Sequence, residues 1–404
     1  MRVLQICHKP PVPSTDGGCL AMNAITCGLL ENGAQVKLVT ASTSKHPLQP
    51  DLLSASYIEQ TDVEGISIET ELDLRDAFIA LMNGESYNIS RFHAHHFALV
   101  IKQVLSRHNY DVVHLESLYT TPYIDTIRRY APEALISLRS HNHEYQIWEQ
   151  RWKASQNPLK RLALRHLTKT LERYERDILD QIDVMVSISE TEGQGYRDWG
   201  YTGPLHVAGF GIDLSQQSKQ PVTATKNNRP RLRLFHLGAM DWGPNKEGVD
   251  WFVQDIWPDL LKQHNHIELH LAGKGMEADW YANVPRVFNH GEVESAAAFS
   301  RGKDLLVVPL LRGAGIRVKI VEALANSTPV ATTTVGASGL ALEDSNGVLV
   351  AEPQDMAAAL SDLIHQQERL DAMARSGLDI VQTKYDRRQI GKDLLDFYSQ
   401  HVHV

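Results

Sequence analysis

One stretch limits what this chain can fold into more than any other. An apolar run, Asp304–Val308, leads into Pro309–Ala331, PLLRGAGIRVKIVEALANSTPVA. The pattern predicts a buried strand, a glycine-rich turn, a helix opening near Gly315 and a second strand from Pro329. An apolar run without alternation marks a strand covered on both faces, and parallel neighbours need a helical crossover between them. Gly313 and Gly315 permit a sharp turn and close approach of backbone to a ligand. A helix starting there directs unpaired N–H groups and the positive end of its dipole at an anion. Lys319 and Glu322 share a helical face with Gly315, and Arg312 and Arg317 add cations beside the turn. Cations for phosphates and a carboxylate for ribose hydroxyls suit a nucleoside diphosphate. The plainer alternative is an ordinary glycine turn before a helix whose charges face solvent.

The same alternation recurs along the chain. Val3–Cys7 reads as a strand, Asp16-Gly17-Gly18 opens a helix through Leu30, Asn32-Gly33 closes it, and Gln35–Ala41 is the next strand. Gly17 and Gly18 lack the GxGxxG spacing of a dinucleotide fold, which speaks against a nicotinamide oxidoreductase. Residues 47–68 are polar and aperiodic, predicting loops and a short strand. Asp111–Leu115 and Leu135–Leu138 are further buried-type strands. Arg139-Ser140-His141-Asn142-His143-Glu144 follows the second, and residues just past a strand's carboxyl end line the crevice of an open α/β sheet. His141 is the leading candidate there, with Asn142 and Glu144 secondary and Glu116 on the same rim.

Arg91, His93, His95 and His96 cluster where a loop enters a helix. With no carboxylate or cysteine partner nearby they predict no metal site; Arg91 and His93 read as an acceptor-facing loop or as a surface cluster. The helical stretch Glu149–Leu179, broken at Asn157-Pro158, is rich in Lys and Arg over 151–170. It suits peripheral contact with an anionic membrane, or a solvated scaffold face, since Glu172, Glu175 and Asp177 balance its second half. Residues 214–230 are polar and aperiodic, a linker. Beyond it the strand–loop–helix order restarts at Leu232 and ends in three helices.

At 404 residues the chain is long enough for two domains. A net charge of −9 argues against general nucleic-acid binding. Cys7, Cys19 and Cys27 have no metal spacing and imply a reducing compartment. No apolar run is long enough for a membrane helix, and MRVLQICHKPP lacks the apolar core of a signal peptide, so the expectation is a cytoplasmic protein.

Several of these motifs resemble the retaining GT-B glycosyltransferases of the family-4 type (glycosyl transferases group 1): the segment Arg312–Glu322 with Pro329, the HNHE loop, the Gly211–Asp213 turn and the loop before Lys246. The resemblance implies two Rossmann-like domains facing across a cleft: 1–213 for the acceptor, a hinge-like linker at 214–230, 231–385 for the nucleotide sugar, and a helix in 386–404 returning to the first domain. It implies transfer of a hexosyl group from a nucleotide sugar to a hydroxyl of a glycan or lipid-linked acceptor, with retention and with no metal or cofactor. Arg312 and Lys319 would hold the diphosphate, with help from Arg317, Lys246 and the backbone of Gly313 and Gly315. Glu322 would bind the ribose, His141 the donor sugar, Gly17 and Gly18 the cleft-side phosphate, and the loop ending at Val293 the base. No residue stands out as a covalent nucleophile or strong general base, and the resemblance implies front-face attack, in which the leaving phosphate oxygen takes the acceptor proton. Two departures stand out: Ala314 replaces the first glutamate of the family's Glu-x7-Glu pattern, and Met240 replaces a common arginine. A nucleotide-sugar epimerase and a silent nucleotide-sugar-binding protein would share the same fold and site.

Overall fold

The structure, a computed structural model, describes residues 1–14, 16–71, 73–216, 231–313, 317–340 and 347–402. The chain divides into two compact units, Met1–Gly211 with Arg387–Val404, and Ile212–Asp386. Each is built on one parallel sheet.

In the first unit the strands are β1 (Arg2–Cys7), β2 (Gln35–Ser42), β3 (Glu64–Ser67), β4 (Val112–Glu116), β5 (Leu135–Ser140), β6 (Val184–Ser187) and β7 (Leu205–Val207). Their order is β3-β2-β1-β4-β5-β6-β7. The chain works outward from β1 to β3, then returns to the other side of β1 with β4. Cys7 pairs with Glu116 at the carboxyl ends of this switch, the place where open α/β sheets bind ligands. Both faces of β4 and β5 are buried, as their unbroken apolar character requires.

Helices α1 (Gly17–Glu31), α2 (Ala55–Thr61), α3 (Leu74–Asn83), α4 (Tyr87–Ser90), α5 (His95–Arg107), α6 (Ile124–Tyr130), α7 (Glu144–Ala154), α8 (Pro158–Asp177) and α9 (Glu190–Asp198) connect these strands. Local chemistry sets their ends. Asp16 accepts from the Cys19 N–H at the start of α1, and Asn157 caps α8 with Pro158 in its first turn. Gly33, with φ of +81°, turns the chain out of α1. The aperiodic segment 47–68 holds more order than its sequence predicts, because Ser54 accepts from the Tyr57 N–H and starts α2 ahead of β3.

The second unit carries β8 (Leu232–Leu237), β9 (Ile267–Ala272), β10 (Val287–Asn289), β11 (Leu305–Val308), β12 (Val330–Thr333) and β13 (Val348–Ala351), in the order β10-β9-β8-β11-β12-β13. Its switch point lies between β8 and β11. The helices are α10 (Gly243–Trp251), continued by one π-helical turn, Phe252–Ile256, into α11 (Trp257–Gln263), then α12 (Ala296–Ser300), α13 (Val318–Ala325), α14 (Thr334–Ala337), α15 (Met356–Ile364) and α16 (Gln367–Lys384). The expected helix start near Gly315 is corrected: α13 begins at Val318 with Arg317 at its cap. Gly315 and Ala314 lie outside the described residues, as does 217–230 of the expected linker; Leu214–Gln216 is a single 3-10 turn.

The last helix, α17 (Arg387–Ser399), belongs to the first unit and packs on α1. The approach is very close. A Cβ on Gly28 would lie 2.4 Å from the Arg387 carbonyl oxygen, and one on Gly391 2.3 Å from the Gly28 backbone. Glycine at both positions lets the helices touch backbone to backbone and brings the buried Tyr398 onto the underside of β4 and β5.

Candidate functional site

The sheet order of the second unit brings β8, β11 and α13 together around a small polar cluster. His236, fully buried on β8, places Nδ1 2.8 Å from the Val307 carbonyl of β11, so Nδ1 carries the hydrogen. Its Nε2 has no hydrogen-bond partner among the described residues. Burial and the nearby Lys319 push its pKa down to about 3, so the ring stays neutral. The next element along β8 is Gly238. A side chain there would come within 2.5 Å of the Lys319 Nζ, 2.8 Å of the Asn245 Nδ2 and 2.9 Å of the His236 Nε2. Only glycine leaves room for these three groups to converge.

Asn245, in the first turn of α10, donates Nδ2 to the Ala239 carbonyl (2.9 Å) and so presents Oδ1 to the Lys319 ammonium (3.1 Å). No carboxylate pairs with that ammonium among the described residues. Burial, reinforced by the Arg317 charge, lowers the Lys319 pKa to about 7. The amine therefore waits at neutral pH half charged, and an arriving anion would return its proton. Arg317, buried at the cap of α13, lies with its guanidinium 5.6 Å from the Trp242 ring centroid. Gly313, at φ of +125°, passes so near that a Cβ would sit 3.0 Å from Trp242 and 3.2 Å from Arg317. Lys319, Arg317 and Gly313 thus come together as the sequence expects.

The other predicted residues of this unit have partners of their own. Arg312 is exposed and its Nε pairs with Glu247 of α10. The Lys246 ammonium is 2.7 Å from Asp250 and 4.7 Å from the Trp280 ring. Glu322 is exposed on α13, one turn beyond Lys319. Val293 follows β10 in a loop whose Gly291 carbonyl accepts from the Gly273 N–H. Gly273 itself passes so close to the Gly238 carbonyl that a Cβ there would overlap it at 1.7 Å.

In the first unit the carboxyl ends of β1, β4 and β5 hold a second cluster around Glu116, which is wholly buried. Oε1 accepts from Gln5 Nε2 (3.0 Å) and lies 3.1 Å from His114 Nε2; Oε2 lies 3.1 Å from Arg139 Nη1 and 2.8 Å from His141 Nε2. Burial works to raise the Glu116 pKa, but the Arg139 guanidinium and His114 overcome it and hold the group well below the usual carboxylate range. The set extends outward. His114 Nδ1 is 2.5 Å from the Tyr398 hydroxyl, which lies 2.9 Å from Ser137 Oγ, while Thr26 donates to Gln5 Oε1 (2.7 Å). His8 stands edge-on to His141 at 6.3 Å. Burial, with Lys9 and His141 adding to it, pulls the His8 pKa down to about 3.

Glu144 opens α7 and accepts from the Tyr119 hydroxyl (2.7 Å); burial raises its pKa. Asn142 contributes a backbone carbonyl to Ser140 Oγ. Gly17 and Gly18 form the first turn of α1, where a Cβ on Gly18 would meet Asp16 and the Lys9 ammonium at 3.2 Å; Lys9 and Asp16 form an ion pair at 2.6 Å. Arg91 reaches the Thr70 carbonyl and His93 lies beside Tyr123. Among the described residues no group of histidines, cysteines and carboxylates could hold a metal ion.

Sequence reasoning missed His114, Arg139, Tyr398, His236, Gly238 and Asn245. A signal was present for two of them: His114 and His236 are polar residues inside otherwise apolar strands, a placement that demands a partner. Tyr398 carried none, because 284 positions separate it from His114.

Residues 231–366 match the protein family described as Glycosyl transferases group 1. Two curated proteins are similar in sequence. An uncharacterised 44.6 kDa protein in the cps region of Klebsiella pneumoniae is 20% identical over 303 residues, covering 72% of this chain and 74% of its own length. A phosphatidyl-myo-inositol mannosyltransferase of Mycobacterium leprae is 26% identical over 199 residues, 46% of this chain and 51% of that one. Among solved structures, sucrose-phosphate synthase from Thermosynechococcus elongatus superposes with a TM-score of 0.66 at 18% identity, over 99% of both chains. Anabaena HepE in complex with UDP gives 0.66 at 12% identity, over 99% of this chain and 100% of that one. The architecture is therefore GT-B.

Proposed function

We propose that the protein is a retaining glycosyltransferase that moves a hexosyl group from a nucleoside-diphosphate sugar to a hydroxyl of a glycan or lipid-linked acceptor, without a metal. One observation carries this reading: the half-buried Lys319 ammonium sits at the switch point of the second sheet, hydrogen-bonded to an amide carbonyl and ion-paired with no carboxylate among the described residues. The family match covers the same region. HepE structures carrying UDP or UDP-glucose supply the ligand class, and the mannosyltransferase and the cps-region relative supply a glycoconjugate or polysaccharide setting.

Bond cleavage between the sugar and the diphosphate places negative charge on the leaving phosphate. Lys319, Arg317 and the first N–H groups of α13 would stabilise that charge as it develops, in the part a divalent cation plays elsewhere. Glu322 would take the ribose and Arg312 the outer phosphate once released from Glu247. His141 would accept from a sugar hydroxyl, and the leaving oxygen would take the acceptor's proton. Contact with an anionic membrane through 151–170 fits the same reading. Leu159 and Leu162 are exposed at the start of α8, and no acidic residue occurs from Gln150 to Leu171.

The test is incubation with UDP-, GDP- and ADP-sugars, with and without EDTA, following nucleoside diphosphate release and the anomeric configuration of the product. Release that persists in EDTA with retention is the expected result. Binding without release would mark a binding protein, and a new sugar epimer without acceptor an epimerase. Flotation with phosphatidylglycerol vesicles, lost in Leu159→Ser/Leu162→Ser, tests the membrane contact.

A further inference from the structure

The Glu116 cluster fixes more than the position of a histidine. An ionised carboxylate can only accept hydrogen bonds, so each ring nitrogen facing it must bear a hydrogen. That assigns Nε2–H to both His114 and His141, at 3.1 and 2.8 Å from the two oxygens. Arg139 Nη1 approaches His141 Nε2 at 3.5 Å because the two are donors meeting on one oxygen. The remaining bonds extend this set: the Tyr398 hydroxyl bridges Ser137 Oγ and His114 Nδ1, His114 donates to Glu116, and Thr26 fixes the Gln5 amide so that its Nε2 faces the carboxylate. His141 keeps a tenth of its side-chain surface exposed, and its Nδ1, without a partner among the described residues, is not sealed from solvent.

We propose that Glu116 is a positioning residue that holds His141 as the Nε2–H tautomer, so that the neutral ring offers a bare Nδ1 as acceptor to a sugar hydroxyl. The identity of that hydroxyl rests on the sugar-transfer reading; the tautomer does not. The alternative, a protonated His141 donating to a sugar oxygen, is opposed by its surroundings. Burial lowers the His141 pKa, and Arg139 and Lys9 lower it further, against the opposing pull of Glu116. His114 and Tyr398 act behind Glu116, tying the carboxylate to α17, and touch no substrate in this scheme.

Long-range proton–nitrogen spectra of histidine-labelled full-length protein, with His141→Gln for assignment, read the tautomer directly. The expected result at pH 7 is a neutral His141 protonated on Nε2. An Nδ1–H form or an imidazolium would overturn the proposal without any mutation or substrate. In Glu116→Gln the Nδ1–H form should gain population, and kcat/KM should fall on the order of 10²-fold, the usual cost of a misplaced reacting group; an unchanged tautomer in a folded variant refutes the positioning role. Because removing the carboxylate leaves Arg139 buried without its partner, a second pair serves if that variant does not fold. His141→Asn puts a carbonyl near the place of Nδ1, whereas His141→Gln puts its amide near Nε2. Asn should keep a donor KM closer to wild type, and the reverse ranking overturns the acceptor role. A correct tautomer in a protein that transfers no sugar from any donor would sink the transfer reading and leave the Glu116 assignment standing.

Discussion

The two polar clusters occupy equivalent places, each at the switch point of its own parallel sheet, yet they are finished to different degrees. Around Glu116 every charge meets its complement inside the protein: one carboxylate accepts from two imidazoles, an amide and a guanidinium. Around Lys319 the cation of Arg317 crowds the ammonium and Glu322, one turn on, only partly offsets it; among the described residues the Asn245 carbonyl is the one hydrogen-bond partner. A self-satisfied network holds a geometry, whereas a lone cation in a poorly solvated niche holds a place for an anion. The first cluster should therefore matter for stability and orientation, the second for ligand binding.

That contrast can be broken most directly through stability. Glu116→Ala should lower the free energy of unfolding by about 3–5 kcal/mol, the cost of leaving a buried charge uncompensated, read from urea denaturation. Lys319→Met should leave stability unchanged within about 0.5 kcal/mol or raise it, because it removes a buried cation that forms no ion pair among the described residues. Comparable losses in both variants would erase the distinction. For binding the ranking inverts. Lys319→Ala should weaken nucleoside diphosphate affinity roughly 30-fold or more, the range for losing one partner of a close charge pair, measured by calorimetry.

A pH series sharpens the same point. The free amine titrates at about 7, and a bound diphosphate stabilises its charged form and raises that value. Complex formation should take up a proton above pH 7 and take up none near pH 6. Affinity should consequently fall as pH rises, by up to about tenfold per unit. Calorimetry in buffers of different ionisation enthalpy reports the proton, and Lys319→Arg, permanently charged, should abolish the uptake. An affinity independent of pH from 6 to 9 in the wild type would place the anion elsewhere.

Much of the architecture was legible in the sequence, because buried parallel strands announce themselves as unbroken apolar runs and the glycine turns mark where each one ends. Lys319 could be found because it sits on the helix after such a turn. The start of α13 could not, since the cap at Arg317 offers no Ser, Thr, Asp or Asn to mark it. The Glu116 network was only half visible. His141 and Glu116 lie beside loops where function is expected, but Arg139, in the same segment, carries no sign in the sequence that its guanidinium is fully buried against Glu116. Tyr398 reaches His114 only because Gly28 and Gly391 let two helices distant in sequence meet backbone to backbone. Contacts made by long-range packing leave no local period to read.

The smallest expected effect is the most discriminating between neighbouring lysines. Lys246 resembles a phosphate ligand by its place in the first turns of α10, just after the loop that follows β8, but its ammonium is held by Asp250 at 2.7 Å and by the Trp280 ring. To meet a phosphate it must leave a partner that already neutralises it, so the net gain is the difference between two partly solvated ion pairs, about 1 kcal/mol or less. Lys246→Ala should accordingly change diphosphate affinity by about fivefold at most, and the change should shrink with added salt, which screens exposed charges. In Asp250→Asn the same lysine is released, and its removal should then cost more. If Lys246→Ala instead weakens binding as much as Lys319→Ala while Asp250→Asn changes nothing, the ion pair on α10 is no restraint, and both lysines belong to the anion site on equal terms.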